Sequence, residues 1–310
     1  GASPAICKNF FASRPELIAQ FDRFDGSTLF HPYATSLRMS DIGYKSKNQE
    51  GLRINFNSME EYVETLTEAI STPYPEYQKI GVKEGDEYKQ LNSNILQIEN
   101  EFYGTMRPKQ VINSGEKPTL ALKKRGVLYV EMRALDNNLY EPIGLDAPTA
   151  YFLEAFLIFC LLSESPPYLG DEHFINNQNQ LSVAHEGRKL GLELNYRGVQ
   201  IPLKDWAHSI LDEMELLCKH LDASYPEQPY SKALAIQKAA VENPDLTPSA
   251  RILADMQVEH QCFGSFALTK SVLNKEHFTR QTVAPELLDE FAKLAEASIA
   301  KQTQLEAATQ

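Results

Sequence analysis

The sequence predicts an α+β fold, with strands and flanking helices over residues 1–165 and a mainly helical region over residues 166–310. Two segments of the first part alternate polar and apolar side chains, as a half-buried strand does. Beyond the pair at 166–167, both prolines, apolar residues recur at helical spacing and strands are scarce. A chain of 310 residues, 43% of them hydrophobic, is long enough to bury a substantial core in one large domain or two smaller ones.

The charge balance limits the classes of ligand. With 30 basic and 42 acidic residues the net charge is -12, so a sequence-independent grip on the phosphates of nucleic acid is not expected. No block of Lys and Arg indicates a membrane surface, and the longest apolar run, at 155–162, is too short to span a bilayer. Anionic small ligands would therefore need local arginine sites.

The cysteines indicate a reducing compartment. Cys7, Cys160, Cys218 and Cys262 lie far apart in the sequence, with no CxxC pair and no histidine at zinc-binding spacing. They are therefore expected to be reduced thiols in a cytoplasmic protein. The first residues do not include Met and lead at once into a segment typical of a domain interior, so the chain is expected to be a piece of a longer protein.

The first elements carry no recognisable chemistry. Residues 5–11 and 14–21 have the spacing of short helices. Residues 31–44 break every period and mix hydroxyl groups with Arg38 and one aspartate. Binding loops and plain connectors share that composition, so both interpretations stay open.

A scaffold helix follows. Ser58 and the glutamates after it form a capping box, which predicts a helix beginning there. Tyr62, Leu66 and Ile70 line one face of it, and Pro73 lies just beyond its predicted end.

Residues 94–103 alternate like a strand, with Gln97, Glu99 and Glu101 on one side. So many carboxylates and amides are poorly explained by packing, because buried polar groups need partners. Contact with a ligand or a metal ion would satisfy them, and so would an exposed edge strand with solvated acids.

Residues 126–136 predict the strand around which the chain is organised. Alternation places Tyr129, Glu131 and Arg133 on one face and the apolar residues on the other. Side chains two residues apart on a strand stand roughly 7 Å from each other, so Glu131 and Arg133 could divide a ligand between them. Taken alone, the pattern is more typical of a half-solvated strand with an exposed ion pair.

The second part predicts helices. Residues 149–162 are apolar nearly all round, so this helix is expected to be buried. Thr247 or Ser249 is expected to cap a later helix, and residues 301–310 are expected to be a frayed end. Helical spacing also covers 182–188, 202–221, 231–241, 249–260 and 286–300.

Two apolar stripes on these helices are expected to be core rather than cofactor contacts. One helix carries Trp206, Ile210, Met214, Leu217 and Leu221, and another carries Leu287, Leu288, Phe291 and Leu294. No GxGxxG, GxxxxGK[ST], HExxH or GxSxG pattern occurs, and the 7 histidines have no ligand spacing. The common nucleotide, zinc and hydrolase signatures are therefore absent.

Four segments in one order along the chain carry a family resemblance. They are YATSLRMSDIGY at 33–44, QIENEFY at 97–103 with RPK at 107–109, YVEMRALD at 129–136, and NPDLT at 243–247 with Arg251. Together they resemble the proteobacterial glutamate–cysteine ligases, or γ-glutamylcysteine synthetases. The resemblance is to the C-terminal part of such an enzyme, whose N-terminal part supplies several metal-binding carboxylates and part of the substrate pocket.

The resemblance implies an ATP- and magnesium-dependent, ADP-forming ligase that acts in the first step of glutathione biosynthesis. Such an enzyme phosphorylates the γ-carboxylate of glutamate and then lets the amine of cysteine displace phosphate. The implied fold is related to glutamine synthetase, with an antiparallel sheet whose concave face holds the ions and the nucleotide. Residues 1–165 would then be part of that sheet with its flanking helices.

The resemblance also implies roles for particular residues. Glu131 is similar in position to a magnesium ligand, and Arg133 to the catalytic arginine that meets glutamate and the transferring phosphoryl group. Arg38 corresponds to a second contact with glutamate. The cysteine pocket corresponds to Tyr44, Asn100 and Tyr103. An arginine suits such a site because it stays charged and binds two oxygens at once.

Two alternatives stay open. The chain could be a non-catalytic half that needs the N-terminal part of the enzyme as a partner, since one side of a metal site rarely holds Mg²⁺ well. It could also be a carboxylate–amine ligase with a different amine acceptor. In each case the expected ligands are small molecules, with no nucleic acid and no membrane.

Overall fold

The computed structural model describes residues 3–43, 47–49 and 51–308. Within these residues every strand pair is antiparallel, in one three-stranded sheet and three two-stranded sheets. Helices predominate after residue 146, which agrees with the predicted α+β class. The described residues do not by themselves form the larger sheet that the family resemblance implies.

The first part contains short strands and helices, linked by 3-10 turns. In chain order they are β1 (Ala5–Cys7), β2 (Asp22–Arg23), β3 (Thr28–Phe30), α1 (Met59–Ser71), α2 (Pro75–Ile80), β4 (Lys83–Glu84), β5 (Glu87–Tyr88), β6 (Met106–Lys109), α3 (Pro118–Arg125) and β7 (Tyr129–Met132). The 3-10 helices are Lys8–Phe11, Pro15–Gln20, Leu37–Met39, Lys47–Gln49 and Glu99–Glu101.

The second part is mainly helical, as predicted. It contains α4 (Ala147–Leu162), α5 (Glu172–Glu186), β8 (Glu193–Tyr196), β9 (Val199–Pro202), α6 (Leu203–Asp222), α7 (Pro229–Glu242), α8 (Pro248–Val258), α9 (Phe263–Thr279) and α10 (Pro285–Ala307), with a 3-10 helix at Pro244–Leu246.

The buried side chains of the described residues fall into separate clusters. One surrounds β3 and includes Phe11 and Leu29, and another lies under α1 and includes Leu66. A third fills the space between α4, α6 and α7, where Met214 is fully buried. Apolar burial at several sites, rather than one central core, stabilises this chain.

A further cluster joins the beginning of the chain to its helical part. Ala5 of β1 packs with Met256 of α8 and Phe266 of α9. The predicted division into residues 1–165 and 166–310 stays a prediction, but side chains from both sides of it share this core.

Two predicted helix caps and one predicted apolar stripe are confirmed. Ser58 Oγ accepts a hydrogen bond from the Glu61 backbone N–H at 3.1 Å, so the predicted cap of α1 is confirmed. Thr247 Oγ1 accepts from the Ala250 N–H at 3.4 Å and is the cap of α8. The stripe on α6 is core at its centre, where Met214 lies in the cluster with α4 and α7.

The prediction of a strand over 94–103 is wrong. The chain there is irregular and contains the 3-10 helix Glu99–Glu101. The carboxylate of Glu99 accepts hydrogen bonds from the Thr119 backbone N–H at 2.7 Å and from Thr119 Oγ1 at 2.6 Å. Because Lys117 offers no side-chain cap to α3, Glu99 supplies one from a distant segment, and this non-local contact outweighs the local alternation.

Two other local predictions need correction. Residues 5–11 are not one helix, because Ala5–Cys7 pairs with β3 and only the residues after it form a 3-10 turn. The strand predicted over 126–136 is shorter, because its ladder to β6 spans only Tyr129–Met132. In both places pairing with another strand, which is invisible in a local pattern, sets the boundaries.

The expected burial of two helices is wrong. In α4 only Ala155 is buried, and Leu161 and Leu162 are 83% and 71% exposed. The stripe on α10 is exposed throughout and does not belong to the core, as shown by Leu287, Leu288, Phe291 and Leu294. A helical period identifies an apolar face, but it does not say whether another element covers that face.

Some elements were not predicted. Helix α9 was missed, and α10 continues to Ala307 where a frayed end was expected. The hairpin β8–β9 turns at Arg197 and Gly198, whose φ angles are 52° and 89°. Two successive positive φ angles are typical of the tight turns that join antiparallel strands.

Candidate functional site

The pair β6–β7 gathers charged side chains on one face. Arg107 pairs directly with Glu131, and Lys109 pairs with Tyr129. The Arg133 N–H donates to the Thr105 carbonyl at 2.8 Å, which extends the ladder by one step. Directly opposed residues of an antiparallel pair project to the same side, so this face carries three cations and one carboxylate. We call it the arginine face; it consists of Arg107, Lys109, Glu131 and Arg133.

Glu131 lies among cations. Lys109 Nζ is 3.3 Å from Glu131 Oε2, an ion pair without hydrogen-bond geometry. Glu131 Oε2 is buried and has no hydrogen-bond partner among the described residues. The predicted shared face of Glu131 and Arg133 is therefore present, and the carboxylate's close cationic contact is Lys109.

Arg133 lies against an aromatic ring. Its guanidinium carbon is 4.9 Å from the centre of the Tyr103 ring, within the range of a cation–π contact. Tyr103 is held in turn by its backbone N–H, which donates to Gln49 Oε1 at 3.0 Å, and by its hydroxyl, which accepts from Arg38 Nη1 at 2.9 Å. The structure thus brings together three of the predicted site residues, Arg38, Tyr103 and Arg133.

Arg38 is largely engaged by the protein itself. Its Nε donates to Asp136 Oδ1 at 2.6 Å, and its Nη2 donates to the carbonyls of Arg133 and Leu135, each at 2.8 Å. With the bond to Tyr103, four of its five N–H groups are used. Burial opposes the charged form, but the Asp136 carboxylate outweighs it and the pKa of Arg38 is raised. Arg38 therefore holds the end of β7 in place and has one donor to spare.

Two predicted pocket residues remain, Asn100 and Tyr44. Asn100 lies on the exposed side of the 3-10 helix Glu99–Glu101. Gln49 Nε2 donates to the Glu101 carbonyl at 2.8 Å and so links this turn to Tyr103. Tyr44 lies outside the described residues.

Sequence reasoning missed two members of the arginine face, Lys109 and the buried Arg107. Arg107 is only 6% exposed, and its Nε is buried without a hydrogen-bond partner among the described residues. Burial lowers the pKa of Arg107 and the nearby charge of Arg133 lowers it further, while the Glu131 carboxylate opposes the shift. The RPK segment at 107–109 was noted in the sequence. Its place on this face depends on how β6 pairs in register with β7, which a single sequence does not specify.

The described residues do not form a magnesium site by themselves. They contain no group of three or more His, Cys, Asp or Glu side chains placed to hold a metal ion. Mg²⁺ needs several oxygen ligands in near-octahedral geometry, and Glu131 supplies one buried, unbonded oxygen beside the ammonium of Lys109. The donor set therefore fits one ligand of such a site and not the whole.

Two general features bear on the setting of the site. Over the described ranges, no helix is both long enough and apolar enough to cross a membrane. The cysteines at 7, 160, 218 and 262 are all free thiols, as the sequence predicts.

Comparison with known proteins identifies related chains. The sequence profile described as glutamate-cysteine ligase matches residues 1–183. A glutamate–cysteine ligase of Pseudomonas paraeruginosa is 45% identical over 306 residues, which is 99% of this chain and 57% of the relative. One from Pseudomonas putida KT2440 is also 45% identical, over 99% of this chain and 58% of the relative.

Solved structures give the same picture. A glutamate–cysteine ligase from Francisella tularensis, crystallised in complex with AMP, superposes with a TM-score of 0.89 at 34% identity, covering 98% of this chain and 59% of the other. A bifunctional glutathione synthetase from Pasteurella multocida shares the fold, with a TM-score of 0.59 at 21% identity over 81% of this chain and 28% of the other. The chain spans little more than half the length of the curated relatives it matches.

Proposed function

The chain belongs to the glutamate–cysteine ligase family, and from this premise we propose that it carries the arginine face of an enzyme that joins the γ-carboxylate of L-glutamate to the amine of L-cysteine. This would be the first step of glutathione biosynthesis, in the cytoplasm. The observation that carries the proposal is Arg133, a half-buried guanidinium that rests on Tyr103 and has no ion pair among the described residues.

The proposed reaction has two steps. The γ-phosphoryl group of ATP passes to the γ-carboxylate of glutamate, which gives γ-glutamyl phosphate and ADP. The amine of cysteine then attacks the acyl carbon, the amide bond forms, phosphate leaves with the bonding electrons, and the amine gives up a proton. Negative charge spreads over the phosphoryl oxygens in the first step, and a fixed guanidinium such as Arg133 stabilises it without reorganising.

Other residues would position the substrates. Tyr103 fixes the orientation of Arg133, and Arg38 fixes Tyr103 and the end of β7 through its bond to Asp136. The spare N–H of Arg38 is available for the carboxylate of glutamate. Tyr44, Asn100 and Tyr103 are proposed as the cysteine pocket, on the strength of the family resemblance.

Use of ATP is supported by the Francisella relative, whose structure contains AMP. For Mg²⁺, Glu131 is proposed as one ligand, because its buried Oε2 lacks a hydrogen bond among the described residues. The ion would neutralise phosphate charge when bound. Its other ligands would come from the part of the family enzyme that this chain does not span, and so would most of the glutamine-synthetase-like sheet.

A second candidate function is that of a complementing half without activity of its own. Two observations favour it: the incomplete set of metal ligands, and the apolar side of β7, where Leu128 and Val130 are 62% and 43% exposed. A sheet with a bare apolar face normally packs against another layer. The N-terminal part of the family enzyme is the expected partner.

Release of ADP tests both candidates. The chain is supplied with glutamate, cysteine, ATP and Mg²⁺, alone and together with the N-terminal segment of a family member. Turnover by the chain alone supports the first candidate, a ligase that is active by itself. Turnover only after addition of that segment supports the second candidate, the complementing half. No turnover in either case contradicts both. Replacing cysteine with other amino acids in the active mixture shows whether the amine acceptor is a different one.

A further inference from the structure

Arg107 is a buried cation that forms no ion pair with any other described residue. It is 6% exposed, its Nε is buried without a hydrogen-bond partner, and no ion pair joins it to another described residue. The chain has a second buried arginine for comparison. Arg188 is 8% exposed, and it donates to the carbonyl of Ala34 at 3.2 Å and to that of Pro32. Within the part of the chain that the structure describes, the side chain of Arg188 is therefore hydrogen-bonded, whereas the Nε of Arg107 is not.

The surroundings of Arg107 add positive charge. Arg133 is its diagonal neighbour across the two strands, a position roughly 7–8 Å away. Its guanidinium lies against the ring of Tyr103 and forms no ion pair with another described residue. Glu131, the residue directly opposite Arg107, is already close to Lys109. One carboxylate thus faces three cations. A buried, unpaired charge beside a like charge is unfavourable, and a bound anion would remove the cost.

We propose that Arg107 and Arg133 together bind one phosphoryl group on the arginine face. Two guanidinium groups with free donors match a tetrahedral oxyanion of two or more negative charges better than a carboxylate with one. The site itself follows from the geometry of β6 and β7. Its assignment to the phosphoryl group that leaves ATP rests on the proposed function.

Inorganic phosphate is the probe that tests this site, with isothermal titration calorimetry on the full chain. We expect saturable binding of one phosphate, weakened about tenfold or more by Arg107→Met. Arg107→Lys keeps the charge but loses the planar fork, so it should restore part of the affinity. Arg125→Met removes an arginine that Glu116 already pairs, at 2.7 Å, and should leave phosphate affinity unchanged.

Thermal unfolding without phosphate separates a ligand-binding arginine from a structural one. Arg107→Met should unfold at the same temperature as the parent or higher, because the change removes an unpaired buried charge. Arg188→Met should unfold at a lower temperature, because it leaves the buried carbonyl of Ala34 and the carbonyl of Pro32 without their donor. A large loss of stability in Arg107→Met would assign Arg107 to the structure and overturn the proposal.

The identity of the anion is tested by repeating the calorimetric titrations with glutamate and with AMP in place of phosphate. Loss of glutamate affinity in Arg107→Met with phosphate affinity unchanged would overturn the proposal in favour of a carboxylate site. Absence of phosphate binding by the parent chain would overturn it also. The site and the proposed function can fail separately. If phosphate binding depends on Arg107 but the chain does not ligate glutamate to cysteine, with or without the N-terminal segment, the site is upheld and the proposed function is rejected.

Discussion

Arg38 Nη1 donates to the hydroxyl of Tyr103 at 2.9 Å, and these two residues lie 65 positions apart in the chain. The guanidinium of Arg133 rests on the ring of the same Tyr103. Arg38 also donates a hydrogen bond to the carbonyl of Arg133 at 2.8 Å. Arg38 therefore fixes both the ring beneath the proposed catalytic guanidinium and the backbone that carries it. Arg38 and Arg133 thus meet at the end of β7, where Arg38 holds the backbone and Arg133 presents its guanidinium against Tyr103.

The first prediction concerns Arg133. In the mixture that shows turnover, Arg133→Ala should lower kcat on the order of 10² or more, because it removes a donor to charge that develops during phosphoryl transfer. Steady-state kinetics with varied glutamate measure the change. An effect confined to the KM for glutamate would show instead that Arg133 binds substrate only.

Lys123→Ala provides the matched control for that measurement. Lys123 lies in the last turn of α3, outside the arginine face, and its replacement should leave both kcat and KM unchanged.

The second prediction concerns the link between Arg38 and Asp136. Both side chains are largely buried, with 23% and 15% exposure, and their atoms approach to 2.6 Å. Asp136→Asn keeps the shape but removes the charge, so the free energy of unfolding should fall by about 1–2 kcal/mol. Urea denaturation measures it. Glu76→Gln, in the exposed pair with Lys79, should change stability less; an equal effect would contradict the structural role of Asp136.

The sequence predicted the shared face and the helix caps correctly, because the contacts that decide these features are local. Alternation placed Glu131 and Arg133 on one face, because side chains at i and i+2 of any strand share a side. The caps at Ser58 and Thr247 were readable because the bonded groups lie within three residues.

The rest depended on partners distant in the chain. Arg107 lies on the arginine face because β6 pairs with β7 in one particular register, and single-residue alternation cannot specify a register. Glu99 is a helix cap because Thr119, 20 positions away, comes to it. The exposed apolar faces of α4 and α10 follow the same rule, since periodicity gives a face and tertiary packing decides what covers it.

The third prediction tests that distant cap. Glu99→Gln should lower the free energy of unfolding by about 1–3 kcal/mol, because one amide cannot accept both hydrogen bonds from Thr119 and still satisfy its own buried N–H groups. Urea denaturation measures the loss, and hydrogen exchange in the first turn of α3 should speed up. Glu60→Gln, at an exposed position in the first turn of α1, is the matched control and should lower the free energy of unfolding by less, about 0.3–1 kcal/mol, because it removes only a charge at the helix N-terminus.

The fourth prediction concerns pH. Burial lowers the pKa of His31 below the ordinary 6.5, and the facing His185 lowers it further, while Asp22, Asp41 and Glu186 oppose the shift. The unfolded chain then binds more protons than the folded one below pH 6.5, so stability falls as pH falls through that window. His31→Gln should flatten the decline, measured as unfolding free energy between about pH 5 and 8.

His277→Gln is the control for the pH series. His277 lies on the exposed surface near the end of α9, and its loss should leave the decline as steep as in the parent. His173, whose pKa burial also lowers, should account for a second part of the slope. An unchanged slope in His31→Gln would show that His31 does not couple protonation to folding.

The fifth prediction concerns magnesium. One carboxylate beside an ammonium is a poor ligand set, so the chain alone should bind Mg²⁺ only weakly, with millimolar or larger dissociation constants, and Glu131→Gln should change this little. Adding the N-terminal segment of a family member should tighten binding, and Glu131→Gln should then weaken it about tenfold or more. Mn²⁺ electron paramagnetic resonance measures both without need of turnover. Tight binding by the chain alone would show that its own residues complete the site, and tight binding insensitive to Glu131→Gln would remove Glu131 from the ligands.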